Sequence, residues 1–252
     1  ERRAVRGGED RVATAEDDVV GGVAGDLRER LGRGRLDEVT AQAAGKLLAR
    51  ARGRPIPYDT KRHATDLVTT VDRASERLIH AIIRQKFPAH GFYGEERTRT
   101  HRHAPWQWFV DPLDGTTNFV HGVPVFAVSI ALVHEGLPVV GVIYDPCQRE
   151  LFTAVRGRGA RLNGKHLRTS PTRRLATGLL STGFSSKFRR NPTPYLQWFQ
   201  AFQSRCHAVR RAGSTAISLA YVAAGRHDGF YEQDLWPWDI AAGIVLVEEA
   251  GG

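Results

Sequence analysis

The chain has 252 residues, of which 41% are hydrophobic and 25% are charged, a balance typical of a folded protein with a sizeable core. No stretch approaches the ~20 apolar residues that cross a bilayer, and no apolar run near the start resembles a secretory signal. We therefore expect a cytoplasmic protein without a membrane partner. The two cysteines, Cys147 and Cys206, are too few for a disulfide scaffold and lie outside any metal-ligand spacing.

The formal net charge is +9, and the basic residues are unevenly distributed. Between Glu150 and Asp228 the sequence has fourteen basic residues and no acidic one. Such a stretch favours either an anionic ligand, phosphate or nucleic acid, or a basic face that lies in solvent.

Residues 1–34 are rich in glycine, arginine and acids, and their weak periodicity predicts a disordered or loosely attached extension. Residues 35–252 are predicted to form the folded domain. The closing Glu249-Ala250-Gly251-Gly252 is typical of a helix end and a glycine turn. We expect the chain to stop there short of a further strand and helix.

The domain interleaves helices and strands. Apolar residues at helical spacing predict helices over 36–52, 70–87, 214–224 and 240–250. Strands are predicted over 91–96, 106–110, 123–133, 139–144, 151–155, 178–184 and 229–232, the middle ones as an antiparallel meander. Because no βαβ rhythm is present, the pattern favours a layered α+β fold, that is, a mixed α/β protein.

The densest chemical signal is Asp111-Pro112-Leu113-Asp114-Gly115-Thr116-Thr117-Asn118. Two carboxylates follow a buried strand, and the Leu113 carbonyl between them cannot continue a strand ladder, so it is a candidate oxygen ligand for Mg²⁺. Gly115 allows a ligand to approach the backbone, and Thr116 and Thr117 would lie at a helix N-terminus, where free amides bind phosphate. The alternative is an ordinary tight turn.

Other acids flank apolar segments elsewhere in the chain: Asp66 and Asp72, Glu95 and Glu96, and Asp239. Alone, the glutamates would be a solvated pair, and Asp72 or Asp239 would be a helix N-cap. Together, in an otherwise basic chain, these groups suggest a carboxylate cage around more than one metal ion, since like charges repel without cations.

The order and spacing of Gly94-Glu95-Glu96, Asp111–Phe119 and Trp238-Asp239 resemble the inositol monophosphatase family, part of a Mg-dependent, lithium-sensitive phosphatase superfamily that includes fructose-1,6-bisphosphatase. Supporting matches are Asp66–Thr69, Asn163-Gly164, Gly213-Ser214 and Glu249–Gly252. The resemblance covers the domain 35–252. It implies a layered α-β-α-β-α sandwich of the inositol monophosphatase and sugar phosphatase type, and a homodimer.

The resemblance also implies roles for single residues. Two to three Mg²⁺ ions would be bound, the first by Glu95, Asp111 and the Leu113 carbonyl, the second by Asp111, Asp114 and Asp239. Glu95, helped by Glu96, would face a weaker third ion. Asp72 and Thr116 would orient the attacking water, and the Gly115 and Thr116 amides would cradle the phosphate. The pocket for the alcohol would be shaped by Arg210, Gly213, Ser214, Thr215 and Glu232.

The implied activity is hydrolysis of inositol monophosphate to inositol and phosphate by a metal-activated water. Fructose 1,6-bisphosphate and histidinol phosphate are alternative substrates. Nucleotide phosphatases of this type resemble Asp-Gly-Thr-Lys-Glu-Phe, whereas this chain has Thr117 and Asn118 after Thr116. Two further hypotheses are an RNA- or polymerase-binding protein, motivated by the acid-free stretch, and a catalytically silent relative.

Overall fold

The computed structural model describes residues 36–53, 57–61 and 67–252. The predicted extension 1–34 and Asp66 lie outside the described residues. The helices are α1 (Leu36–Ala51), α2 (Thr70–Lys86), α3 (Thr116–Val120), α4 (Thr193–Gln203), α5 (Thr215–Ala223) and α6 (Pro237–Glu249). The strands are β1 (Tyr58–Thr60), β2 (Leu67–Thr69), β3 (Gly91–Gly94), β4 (Arg99–Thr100), β5 (Trp106–Asp114), β6 (Ala127–His134), β7 (Leu137–Asp145), β8 (Glu150–Val155), β9 (Ala160–Leu162), β10 (Lys165–His166), β11 (Leu179–Thr182), β12 (Ala208–Arg210) and β13 (Gly229–Tyr231).

An eight-stranded sheet in the order β10-β9-β8-β7-β6-β5-β3-β4 forms the centre of the fold. From β5 to β10 each strand pairs antiparallel with the next, which confirms the predicted meander. Strand β6 is buried from Ala127 to Val133 on both faces, because helices cover both sides of the sheet.

The layers follow from what each face of the large sheet buries. On one face, Ala44 and Leu48 of α1 and Ile79 of α2 join a core with side chains of the central strands. On the other face, α5 and α6 close a second core. A parallel sheet of order β12-β11-β13 contacts α5, and α4 contacts β12. This arrangement is the predicted α-β-α-β-α sandwich.

Several predicted boundaries shift, and α4 and β12 were not predicted. Strand β5 does not end at Val110 but continues to Asp114, with a register shift between Asp111 and Asp114. Helix α6 begins at Pro237, so Asp239 lies within its first turn and is not the N-cap.

No helix in the described part of the chain is long and apolar enough to span a membrane.

The Glu249 side chain explains part of the closing motif. Its carboxylate accepts hydrogen bonds from the backbone N–H groups of Gly157, Arg158 and Gly159, at 2.7, 3.0 and 2.7 Å. These groups form the turn that joins β8 to β9. Glu249 therefore fastens the C-terminal end of α6 to the edge of the large sheet, which is a structural role.

We expect Glu249→Gln to lower the free energy of unfolding by about 2 kcal/mol, because an amide cannot accept three N–H groups as a carboxylate does. The matched control is Glu248→Gln. Glu248 is 47% exposed and pairs with Arg156 at 2.6 Å, so its loss should cost less than about 0.5 kcal/mol. Urea denaturation of both variants tests this, and equal losses would contradict the assigned role.

Candidate active site

A cleft of about 990 Å³ lies where the ends of β3 and β5 meet the N-terminal ends of α3, α5 and α6. It brings together acids that are far apart in the sequence: Glu95, Glu96, Asp111, Asp114 and Asp239. Leu113, Gly115, Thr116, Thr117, Gly213, Ser214, Thr215 and Glu232 also line it. Most residues predicted for the site therefore share one cavity.

The turn between Asp111 and Asp114 is a bulge in β5. Asp111 pairs with Ser129 and Asp114 with Ala127, which leaves Pro112 and Leu113 outside the ladder register. The Asp111 carboxylate accepts the Leu113 N–H at 3.0 Å. The Leu113 carbonyl lies 3.0 Å from the Thr116 hydroxyl. As expected from the sequence, this carbonyl does not continue the strand ladder, and it accepts the Thr116 hydroxyl instead.

Asp72 and Thr116 meet across the site, although 44 residues separate them. The Thr116 hydroxyl lies 3.0 Å from one Asp72 oxygen, and the other oxygen accepts the Thr69 N–H at 2.9 Å. Thr69 is the N-cap of α2, and Asp72 is the acid of its capping box, so the N-cap interpretation of Asp72 was wrong. The capping box fixes the Asp72 side chain beside Thr116.

Gly115 and Asn118 shape the entrance to α3. Gly115 has φ +90°, and a Cβ there would come 2.9 Å from the Val125 carbonyl oxygen, so only glycine fits. The Asn118 amide donates to the carbonyls of Val125 and Ala212, at 2.7 and 2.8 Å. These contacts hold the first turn of α3 against the Ala212–Gly213 segment, a role for Asn118 that the sequence did not indicate.

Asp114 lies at the N-terminus of α5. Its carboxylate accepts the Ser214 hydroxyl and the N–H groups of Thr215 and Ala216, the latter two at 3.3 and 2.9 Å. Ser214 also caps the helix by accepting the Ile217 N–H at 3.1 Å. The large sheet and α5 are thus joined inside the cleft.

Glu232, Thr215 and aromatic residues form the part of the cleft next to Asp114. Thr215 donates to Glu232 at 3.1 Å. Arg210, predicted to shape this pocket, is exposed at the end of β12 and is not among the cleft-lining residues. Arg211 lines the cleft instead, 5.2 Å above the Phe184 ring. Successive side chains of an extended segment point in opposite directions, which explains why Arg211 and not Arg210 reaches the cleft.

The acids of the cleft are crowded and withdrawn from water. Burial raises the pKa of Asp239 to about 8 and that of Asp114 to about 6, although hydrogen bonds oppose both shifts. Burial, followed by the charges of Glu95, Asp114 and Asp239, raises the pKa of Asp111 well above its usual value. Burial also raises the pKa values of Glu96 and Glu232 to about 7. Burial and the neighbouring charges therefore favour the protonated, neutral forms of these acids when no cation is bound.

Lys61 was not singled out from the sequence, yet it pairs with two of these acids. Its Nζ lies 2.7 Å from the Glu95 carboxylate and also contacts Glu96. Burial opposes the charged form of Lys61, but the two glutamates outweigh it and raise its pKa. The ammonium group neutralises one side of the cleft.

The donor set suits a hard divalent cation. Five carboxylates and the Leu113 carbonyl, which lies outside the strand ladder, supply oxygen only, the preference of Mg²⁺. Within the described ranges, no three Asp, Glu, His or Cys side chains are already arranged as a metal-ligand cluster. Instead, their oxygens contact Lys61, the Ser214 hydroxyl and backbone N–H groups. A bound cation would stabilise the ionised carboxylates and so oppose the burial and the repulsion that raise their pKa values.

The fold is a layered α/β sandwich with an acidic cleft whose oxygen donors suit divalent cations. A profile described as the inositol monophosphatase family matches residues 35–252. A Pseudomonas aeruginosa protein named Nus factor SuhB is 46% identical over 218 residues, covering 84% of this chain and 80% of its own. The inositol-1-monophosphatase of Rhizobium meliloti is 42% identical over 227 residues, covering 88% and 85%.

Among solved structures, the inositol monophosphatase of Anabaena superposes with a TM-score of 0.79 and 38% identity, covering 91% of this chain and 83% of the other. The chain belongs to the inositol monophosphatase family. This confirms the resemblance drawn from the motifs.

Without divalent cations, we expect stability to fall as the pH rises from about 4 to about 8. Asp239 has a folded pKa of about 8, above the unfolded value of about 3.9, so in this window the folded state holds a proton that the unfolded state has lost. Asp239→Asn removes this titration and should flatten the curve.

Melting temperatures of both proteins from pH 5 to 9, in EDTA and in Mg²⁺, test this expectation. Saturating Mg²⁺ should weaken the pH dependence of the unsubstituted chain, because the cation holds the carboxylate ionised. Glu248→Gln is the control for loss of an exposed acid. Parallel curves for all three proteins in EDTA would contradict the expectation.

Proposed function

We propose that the chain is a Mg²⁺-dependent phosphomonoesterase that hydrolyses inositol monophosphate to inositol and phosphate. One observation carries the proposal: the bulge at Asp111–Asp114 and the first turn of α3 line one acidic cleft, and Thr116 of that turn contacts the buried Asp72. This arrangement supports roles for these residues in binding metal, orienting water and binding phosphate.

In this proposal, Glu95, Asp111 and the Leu113 carbonyl hold one Mg²⁺ ion. Asp111, Asp114 and Asp239 hold a second, and Glu95 with Glu96 faces a weaker third. When bound, such ions supply hydroxide at neutral pH and neutralise the charge on the leaving oxygen. Asp111 would serve both of these ions, which agrees with the influence of the Glu95, Asp114 and Asp239 charges on its pKa.

The protein's own groups position the reactants. The Thr116 hydroxyl and the Asp72 carboxylate orient the attacking water, since Asp72 is buried and fixed by Thr69. The amides of Gly115, Thr116 and Thr117 would bind the phosphate oxygens, since no side chain caps the start of α3. Phosphoryl transfer needs little covalent help, so positioning and charge neutralisation can carry most of the rate.

Glu232 supports a polyol as the alcohol part of the substrate. Its carboxylate lines the cleft and accepts the Thr215 hydroxyl at 3.1 Å, which leaves acceptor capacity for substrate hydroxyls. Gly213 and Ser214 complete this wall of the cleft. Fructose 1,6-bisphosphate and histidinol phosphate are the alternative substrates. The proposal includes a cytoplasmic homodimer, as the family resemblance implies.

The first test is release of inorganic phosphate from inositol 1-phosphate, with and without Mg²⁺. We expect Mg²⁺-dependent release, and a loss on the order of a thousandfold in Asp111→Asn, because the lost charge serves two ions at once. Asp145→Asn is the matched control. Asp145 is also a buried acid, but it accepts the Cys147 and Gln148 N–H groups away from the cleft.

Release that persists without Mg²⁺, or that survives in Asp111→Asn, would contradict the mechanism. Absence of release by folded protein would contradict the substrate assignment, and a panel led by fructose 1,6-bisphosphate would then be assayed. Sensitivity to lithium is measured in the same assay, since the family resemblance implies it.

A second candidate function is binding to RNA or to a transcription complex. Relatives at 46% identity carry the name Nus factor SuhB. Arg205 and Arg210 lie exposed at the end of α4 and in β12, outside the cleft. They belong to the acid-free stretch of the sequence.

Gel shift of single-stranded RNA across a salt series tests this candidate. Phosphate contacts predict a steep loss of binding with salt, and the slope should fall by about one for each contacting arginine changed to alanine. Arg205→Ala and Arg210→Ala are the variants, with Glu248→Gln as the control. A flat, weak response that the variants do not alter would rule against nucleic-acid binding by these residues.

A further inference from the structure

Glu76 is a buried acid that neither the motifs nor the proposed mechanism uses. It follows Asp72 by one turn of α2, so both side chains project from the same face of the helix. Glu76 is 1% exposed and does not line the cleft. A charge so deeply buried requires strong partners.

Its partners are the backbone N–H groups of the turn that carries Glu95 and Glu96. One Glu76 oxygen accepts the Glu96 N–H at 2.6 Å, and the other accepts the Thr98 N–H at 3.0 Å. The same turn is closed by the Gly94 N–H, which donates to the Thr98 carbonyl at 3.0 Å. The Glu76 carboxylate thus lies under the acidic turn and binds it from within the core.

Gly94 leaves the space that this carboxylate occupies. A Cβ at position 94 would come 2.1 Å from one Glu76 oxygen. The glycine of Gly94-Glu95-Glu96 is therefore matched to Glu76, and its φ does not lie in the left-handed region. Glycine is required here because the Glu76 carboxylate approaches the Gly94 backbone closely, and not because of the backbone conformation.

The turn needs such support because it is strained and carries like charges. Arg97 has φ +84°, a conformation that costs about 1–3 kcal/mol for a residue with a side chain. Glu95 and Glu96 are adjacent, and the charge of Glu95 is among the causes that raise the pKa of Glu96. The hydrogen bonds to the Glu76 carboxylate hold the backbone of the turn in this conformation, and Lys61 offsets the charges of Glu95 and Glu96.

We propose that Glu76 is a positioning residue for the cation site: through the Glu96 and Thr98 amides it fixes the turn that places Glu95 and Glu96 in the cleft. The inference rests on the metal ions of the proposed function. Groups that orient metal ligands without touching the metal typically change metal affinity by about 10- to 100-fold when mutated. Glu76 does not contact the carboxylates of these ligands; it acts on them through hydrogen bonds to the backbone of their turn.

The test is direct binding of Mn²⁺ to the full chain, followed by the electron paramagnetic resonance signal of the free ion. Glu76→Gln preserves shape but presents an NH₂ group to one of the two N–H donors. We expect Kd for Mn²⁺ to rise at least tenfold. Asp145→Asn, which also changes a buried acid that accepts two N–H groups in a turn, should leave Kd within about twofold.

Kinetics separate positioning from general destabilisation. In Glu76→Gln the Mg²⁺ concentration for half-maximal phosphate release should rise at least tenfold, while the rate at saturating Mg²⁺ changes less. Should Glu76→Gln fail to fold, Gly94→Ala displaces the carboxylate with Glu76 intact, and the same rise in Kd is expected.

Unchanged Mn²⁺ affinity in a folded Glu76→Gln or Gly94→Ala protein would overturn the inference and leave the proposed function standing. Absence of Mn²⁺ binding by the unsubstituted chain would overturn both. Binding without phosphate release would overturn the proposed function alone.

Discussion

Repulsion among carboxylates gathered in one cleft is the constraint on which the rest of the structure depends. Burial and the negative charges of neighbouring acids raise the pKa of Asp111, and burial raises the pKa of Asp239 to about 8. The folded chain therefore disfavours the ionised forms of these groups. The acids remain together because each is anchored separately. Asp111 accepts the Leu113 N–H, Asp114 accepts amides of α5, and Asp239 accepts the Trp236 N–H at 2.7 Å.

The same anchors join the layers of the fold. Asp114 belongs to β5 of the large sheet, yet its partners are at the start of α5 on the opposite layer. Asn118 makes a similar link from α3 to the Ala212 carbonyl. The cleft is therefore a junction between layers as well as a collection of ligands. A substitution at Asp114 removes charge and an interlayer contact together, so its effects on activity and on stability are coupled.

The sequence predicted those features that depend on local chemistry. The meander and α2 follow from hydrophobic periodicity. Pro112 and Gly115 indicated a turn after Val110, where the structure instead continues β5 through a bulge. Lys61 and Glu76 could not be found in this way, because their partners lie 34 and 20 residues away and no local pattern marks them. Asp72 was misread as an N-cap because Thr69, a competing cap, lies three residues earlier. Helix α4 was missed because its aromatic residues and Pro194 obscure the helical period.

In the structure, part of the charge of the acid-free basic stretch is paired with acids from other parts of the chain. Arg226 forms a bidentate ion pair with Glu150. Arg156 pairs with Glu248, and Lys187 pairs with Asp234. All three acids lie outside the acid-free segment, so folding neutralises part of the charge that the sequence displays as unbroken. Arg211, by contrast, reaches the cleft itself, beside Phe184. Arg189 also lines the cleft, so two basic side chains of this stretch are placed to attract an anion there, whereas Arg205 and Arg210 are exposed outside it.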